Sequence, residues 1–202
     1  MIVRSRAKNQ DILEPGLLLA AYTGGYFPMA DPRDSSIGWF SPDPRAVIPL
    51  DGLKISRSLG QVIKKKVYDV RVDTAFEEVI RECSRRPSTW ISEQLIRSYM
   101  VLHDRGSAHS VEAWCGNALA GGLYGVAVGA AFFGESMFSR MRDASKVCLA
   151  ALVRRLRSNG FTLLDTQFIT PHLARLGAVE IPRTEYLRLL GSAVTKQASF
   201  QE

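Results

Sequence analysis

From position 110 to position 138 the chain carries three apolar, strand-forming runs separated by only two short breaks, Gly116-Asn117 and Gly129. Breaks that short fit hairpin turns, whereas a parallel pair needs a crossover of about a dozen residues or more. The spacing therefore predicts an antiparallel meander with strands at 110–115, 119–128 and 130–138. Flanking periodicity supplies helices to cover such a sheet. Residues 56–66 read as a helix with a basic face, and 74–85 as another, capped by Asp73 or Thr74. A third, 92–104, starts at Ser92, stripes Leu95, Ile96, Tyr99 and Leu102 along one side, and stops at Gly106. After the meander, 144–157 reads as a helix that turns Val147, Cys148, Ala151, Leu152 and Leu156 inward and ends at Asn159-Gly160. A buried strand at 163–168, a short helix at 171–176 closed by Gly177, a strand at 179–181 and a helix at 184–190 complete the order.

Upstream, the first ten residues lack periodicity and are expected to fray. Residues 11–51 are dense in Gly and Pro, with aromatics between them. The stretch 39–45, Trp-Phe-Ser-Pro-Asp-Pro-Arg, is no helix interior, since each Pro removes a donor and restricts the residue before it. It reads as a rigid loop leading into a short strand at 46–49. Helix, helix, three antiparallel strands, helix, strand, helix is the order of a GNAT-like (N-acetyltransferase-like) α+β domain, an analogy of fold that fixes no function.

The 202 residues are 46% hydrophobic and 23% charged, ordinary for a globular chain and too apolar for disorder. The longest apolar run near the start, 17–22, is far short of the roughly 20 residues that a bilayer requires. No secretory signal is visible, so the expected compartment is the cytoplasm. Cys83, Cys115 and Cys148 are odd in number and widely spaced, which points to neither a disulfide framework nor a zinc site. The net charge of +6 leans toward a polyanionic partner. Much of it falls on Lys54, Arg57, Lys64, Lys65, Lys66 and Arg71, with a second group at Arg140, Arg142 and Lys146. A run such as 64–66 is equally the solvated face of a helix; as a nucleic-acid contact it would touch phosphates and not bases.

Asp165 and Gln167 alternate on one expected strand and so should share a face. They read either as an ion pair with one of the arginines plus a turn-capping Gln, or as a carboxylate polarising an amide. Glu135, beside a Gly in an apolar strand, reads as the wall of a close-approach site for an amine or as an outward-facing residue. Leu123, Phe132, Met137, Leu152 and Leu164 would line a cavity beside it, or are simply core. His103, His109 and His172 stand at no metal spacing, and no Ser lies in a nucleophile elbow. Where an acetyl-CoA enzyme of this fold carries a Gly-rich pyrophosphate turn, residues 140–146 read Arg-Met-Arg-Asp-Ala-Ser-Lys. Both glycine positions are filled, one by Asp143, which would repel phosphate. No cofactor is expected.

Several ordered motifs carry a resemblance over residues 18–190. They are Ala21-Tyr22-x-x-Gly25-x-Phe27-Pro28, Trp39-Phe40-Ser-Pro-Asp-Pro-Arg45, Thr89-Trp90-Ile91, Ala108-His109-Ser110-Val111-Glu112 and Gly121-Gly122-Leu123-Tyr124-Gly125. Phe133-Gly134-Glu135-Ser136-Met137-Phe138-Ser139 follows, then Asp165-x-Gln167 ahead of His172-Leu-x-x-Leu-Gly-Ala178. Together they resemble the leucyl/phenylalanyl-tRNA protein transferase family. The resemblance implies a small N-terminal domain (1–55) joined to a GNAT-like catalytic domain (56–202). It implies transfer of Leu or Phe, and Met less well, from charged tRNA to proteins with N-terminal Arg or Lys, marking them for degradation. It places Glu135, Asp165 and Gln167 at the reaction centre, with Asp165 expected to polarise Gln167 and Glu135 to hold an amine. Trp90 and Tyr99 would hold the 3′-terminal adenosine, and Leu123, Phe132, Met137, Leu152 and Leu164 the aminoacyl side chain. Lys54, Arg57, Lys64, Lys65 and Lys66 are the expected tRNA-backbone contacts. Aminolysis of an activated ester requires no metal. The chain departs from the family at Met29 and Phe40, where Trp is usual, and part of the small domain is expected to be trimmed. Two alternatives are a GNAT-type acyltransferase with another acyl donor and a non-catalytic RNA- or peptide-binding module.

Overall fold

The computed structural model describes residues 2–4 and 12–201. The meander forms as its turns require: β6 (Ala108–Cys115), β7 (Ala118–Val128) and β8 (Ala131–Ser139) pair antiparallel, with Gly116 and Gly129 at positive φ in the connections. The helix α5 (Ala144–Ser158) then crosses over, and β9 (Leu163–Gln167) joins β8 in parallel. That parallel ladder is brief, Ala131↔Leu163 to Phe133↔Asp165, after which the two strands part. With β4 (Arg45–Val47), β5 (Asp69–Val72) and β10 (Val179–Ile181) the sheet has seven strands in the order β10-β4-β9-β8-β7-β6-β5. The chain is thus α+β, with a mixed sheet between helices.

Residue alternation decides which helix covers which face. Gly121 faces α5 so closely that a Cβ would lie 2.7 Å from that of Ala144, whereas Gly122 faces Val79 of α3 (Phe76–Ser84). α5 and, outside it, α2 (Arg57–Lys64) therefore cover one face. The other carries α3, α4 (Glu93–Asp104) and α7 (Arg183–Val194). Gly121→Ala should push α5 off β7 and lower stability by about 1–3 kcal/mol in urea unfolding. An unchanged midpoint would show that the helix can step back freely.

The N-terminal part departs most from expectation. Residues 15–23 form a helix, α1 (Pro15–Thr23), which Glu14 caps by accepting from the Leu17 amide at 2.7 Å. Leu17-Leu18-Leu19-Ala20-Ala21 has no one-sided stripe, so periodicity does not reveal it. Trp39 and Phe40, expected in a loop, end a strand: β1 (Ile2–Arg4), β3 (Ile37–Phe40) and β2 (Phe27–Ala30) make a small antiparallel sheet. Residues 2–4 pair with β3 instead of fraying; the rest of the first ten lie outside the described residues. β4, on the N-terminal side of residue 55, is a strand of the large sheet.

Elsewhere the differences are local. Ser92 caps α4 through the Leu95 amide as expected. α3 has no side-chain cap, because Asp73 accepts from Ser110 N and sits 2.7 Å from His109, while Thr74 donates to Glu112. The last helix runs on to Val194. A short helix, α6 (Pro171–Arg175), follows β9.

Candidate active site

A pocket of about 450 Å³ opens where β8 and β9 part. Its apolar floor contains Leu123, Met137, Leu152 and Leu164, four of the five residues expected to line it. Phe132 is not on the wall. Its ring lies across Gly125, where a Cβ would meet it at 2.5 Å, and stacks on Phe200 with centroids 5.2 Å apart. It fills core below the pocket. Trp90 lines the rim, fixed beside β2 by the hydrogen bond from Ala30 N to Trp90 O. Met29 also lines the rim, while Phe40 stacks behind Phe27.

Glu135 is half-buried in the pocket wall. Tyr22 donates to its Oε1 at 2.7 Å and Tyr99 to its Oε2 at 3.2 Å, and the two hydroxyls are 2.6 Å apart. Two hydroxyl protons fill only two of these three contacts at once; a protonated Glu135 would close the ring by donating to one tyrosine, which then donates to the other. Burial pushes the same way and lifts its carboxyl to about 7, against the two tyrosine hydrogen bonds that favour the ionised form. Tyr99 is fully buried, so it backs Glu135 and is not a surface for an adenine ring.

Asp165 is also fully buried, and the first of its two readings, the ion pair, is what forms. Arg45 Nε donates to Oδ1 at 2.9 Å and Nη2 to Oδ2 at 2.6 Å. Tyr186 donates to Oδ2 at 2.8 Å, and Arg45 also reaches the Gly25 carbonyl. The guanidinium lies over the rings of Phe27 and Tyr186 at 4.8 and 4.5 Å. Desolvating two charges is costly, and this full set of partners is what offsets it.

The shared face expected for Asp165 and Gln167 does not occur. Leu164 and Thr166 line the pocket, and Asp165 points to the opposite side. Gln167 has φ +60°, which breaks the alternation and turns its side chain into the pocket. Asp165 Oδ1 instead accepts from the Gln167 backbone amide at 2.9 Å, so it sets the turn and does not touch the side-chain amide. Gln167 Nε2, Thr166 Oγ1 and His172 Nε2 are buried with no hydrogen-bond partner among the described residues, and all three residues line the pocket. These are groups that an occupant can satisfy.

Arg45, Tyr22 and Tyr186 hold the site from within, and none was assigned a role from sequence. Arg45 and Tyr22 stood inside recognised motifs, but their partners are far away in sequence. Lys54, Arg57, Lys64, Lys65 and Lys66 are all exposed, on α2 or in the residues just before and after it. Among the described residues no three His, Cys, Asp or Glu side chains converge as metal ligands.

An apolar pocket bordered by unsatisfied donors and a carboxyl poised near neutrality suits acyl transfer to an amine, in which positioning outweighs acid–base strength. The chain belongs to the leucyl/phenylalanyl-tRNA protein transferase family. The family's profile matches residues 47–191, and that of its N-terminal domain residues 11–43. Curated relatives named leucyl/phenylalanyl-tRNA–protein transferase include one from Rubrobacter xylanophilus, 57% identical over 93% of this chain and 98% of its own length. Those from Gloeobacter violaceus and Herpetosiphon aurantiacus are 53% and 54% identical, covering 94% and 93% of this chain and 98% of each relative. A solved structure titled "The structure of L-PGS from Bacillus licheniformis" aligns with a TM-score of 0.40 at 13% identity, over 76% of this chain and 53% of that one, too distant to carry an argument.

Proposed function

We propose that this chain transfers Leu or Phe, and Met less well, from charged tRNA to the N-terminal Arg or Lys of acceptor proteins, marking them for degradation. The observation that carries the reading is the pocket itself, an apolar floor ending in unpartnered polar groups beside Glu135. We read the architecture as a small N-terminal unit and a GNAT-like unit that meet near residue 44, since β4 belongs to the large sheet, and the compartment as the cytoplasm. No helix among the described residues is long and apolar enough to cross a membrane.

In this reaction the acceptor amine attacks the ester carbonyl carbon, the bond to the ribose oxygen breaks, and the amine's proton ends on that oxygen. An α-amino group titrates at about 7.7–8, so losing its proton at pH 7 costs only about 1 kcal/mol. Holding amine and ester together is worth roughly 7–11 kcal/mol. Gln167 and Thr166 are the residues to bind the reacting groups, Glu135 to hold an amine, and Trp90 to carry the terminal adenosine. Arg45 and Asp165 position Gln167. The floor discriminates side chains by about 1–3 kcal/mol per methylene, so Leu, Phe and Met compete.

The test mixes labelled Leu-tRNA or Phe-tRNA with a peptide beginning with Arg or Lys and no other cofactor. Label should pass to the peptide, less so as salt rises, because Arg57 and Lys64–Lys66 meet phosphates. Transfer from acyl-CoA alone, or binding without transfer, would overturn the assignment.

A further inference from the structure

A second hollow, of about 360 Å³, adjoins the aminoacyl pocket and shares His172 with it. Lys54, Lys146 and Arg175 line it, above a floor of Leu59 and Leu176. Two segments far apart in sequence are locked together to make it. Lys54 N donates to the Leu176 carbonyl at 2.9 Å. Gly177, at φ +102°, lets the Gly52 carbonyl approach to 2.3 Å from where a Cβ would be, so no other residue fits. Lys54 and Arg175 thus face one space from fixed backbone positions.

Among the described residues no acidic side chain lines this hollow. Lys146 pairs with Asp143 at 2.7 Å, but Lys54 and Arg175 have no carboxylate within ion-pair distance among the described residues. Three cations gathered in a concavity repel one another, an arrangement that an anion relieves. Burial and the charges of Lys146 and Arg175 lower the pKa of His172, which keeps its ring neutral. Its buried Nε2 lacks a partner.

We propose that this hollow is a phosphodiester site, in which Lys54, Lys146 and Arg175 hold a phosphate of the single-stranded tRNA 3′ end while the ester lies next door. The assignment rests on the reading of the first pocket as an aminoacyl-ester site. The nearest anion to a bound aminoacyl-adenosine is that nucleotide's own phosphate, followed by the one before it, and this hollow is the adjoining cationic space. It differs from the exposed end of α2, where Lys64–Lys66 stand about 10 Å further along the helix and suit phosphates of the stem. His172, at the partition, would donate to the bound strand.

The experiment compares the unaltered protein with Arg175→Ala and Arg175→Lys on two donors, Phe-tRNA and the phenylalanyl ester of adenosine, which has no phosphate. Arg175→Ala should raise KM for Phe-tRNA about tenfold with kcat little changed, and move KM for the phosphate-free donor less than about twofold. Arg175→Lys should recover much of the loss. An equal rise for both donors, or none for Phe-tRNA, would overturn the site. Binding of the uncharged trinucleotide CpCpA gives a second readout, with its salt slope reduced by about one in Arg175→Ala. Should the unaltered protein use neither donor, the proposed function fails by itself. The CpCpA arm still decides the hollow, and equal binding by both proteins overturns it. Inorganic phosphate binding more tightly than CpCpA would mark a free-anion site and also overturn the assignment.

Discussion

Arg45→Ala is expected to cost about 3–5 kcal/mol of stability, because it leaves Asp165 as an uncompensated buried charge. Asp165→Ala should cost a similar amount and should also release the Gln167 amide from its turn. Replacing both by apolar residues, Arg45→Met with Asp165→Leu, should lose less than either single change, since no lone charge remains. Urea unfolding followed by circular dichroism distinguishes these cases. If the single variants are as stable as the parent, the ion pair does not hold the site. The double variant then reports on the chemistry. It should remain folded yet transfer poorly, because Gln167 would lose the hydrogen bond that sets its left-handed backbone. Parental transfer would show that the Gln167 turn forms without Asp165.

Glu135→Gln is the second variant with a large expected effect, and it should act in opposite directions on stability and activity. The carboxyl goes from 4.5 in an unfolded reference to about 7 in the fold, with burial as the main cause. Between those values the unfolded chain releases a proton that the fold retains, so stability falls as pH rises from about 4.5 to about 7 and is level above. A glutamine is neutral throughout and removes that fall. Relative to the parent, the variant should gain up to about 3 kcal/mol at pH 8 and little at pH 4.5. Transfer at pH 8 should meanwhile drop by about 10²-fold or more if Glu135 handles an amine or its proton. The limb of the rate profile near 7 should vanish, leaving only that of the amine. Equal stability slopes in both proteins would show that Glu135 is not held protonated.

Much of this was legible in the sequence where local chemistry decides structure. Gly116-Asn117 and Gly129 fix the meander, and Ser92 fixes the start of α4. Glu135, Gln167 and Trp90 stand out as polar or aromatic residues in ordered motifs, and all three line the pocket. The failures share a cause in long-range packing. Helix α1 buries Leu18 and Tyr22 against its neighbours yet keeps Leu17 and Ala20 on its exposed side, so apolar residues ring it and no stripe marks it. The face of Gln167 was misjudged because strand alternation stops one residue early; glutamine is not a residue that announces positive φ. Tyr99 and Phe132 are buried behind the pocket because they meet Tyr22 and Phe200, partners that spacing along the chain cannot supply.

The brief parallel ladder between β8 and β9 gives the large sheet a mechanical character. Three residue pairs join a plate of β5, β6, β7 and β8 to a plate of β9, β4 and β10. Glu135 stands on the first plate and Gln167 on the second. An occupant that touches both adds a bridge between the plates at the point where their own pairing ends. The reacting groups would then meet the ester from the two sides of the gap where the sheet's pairing stops.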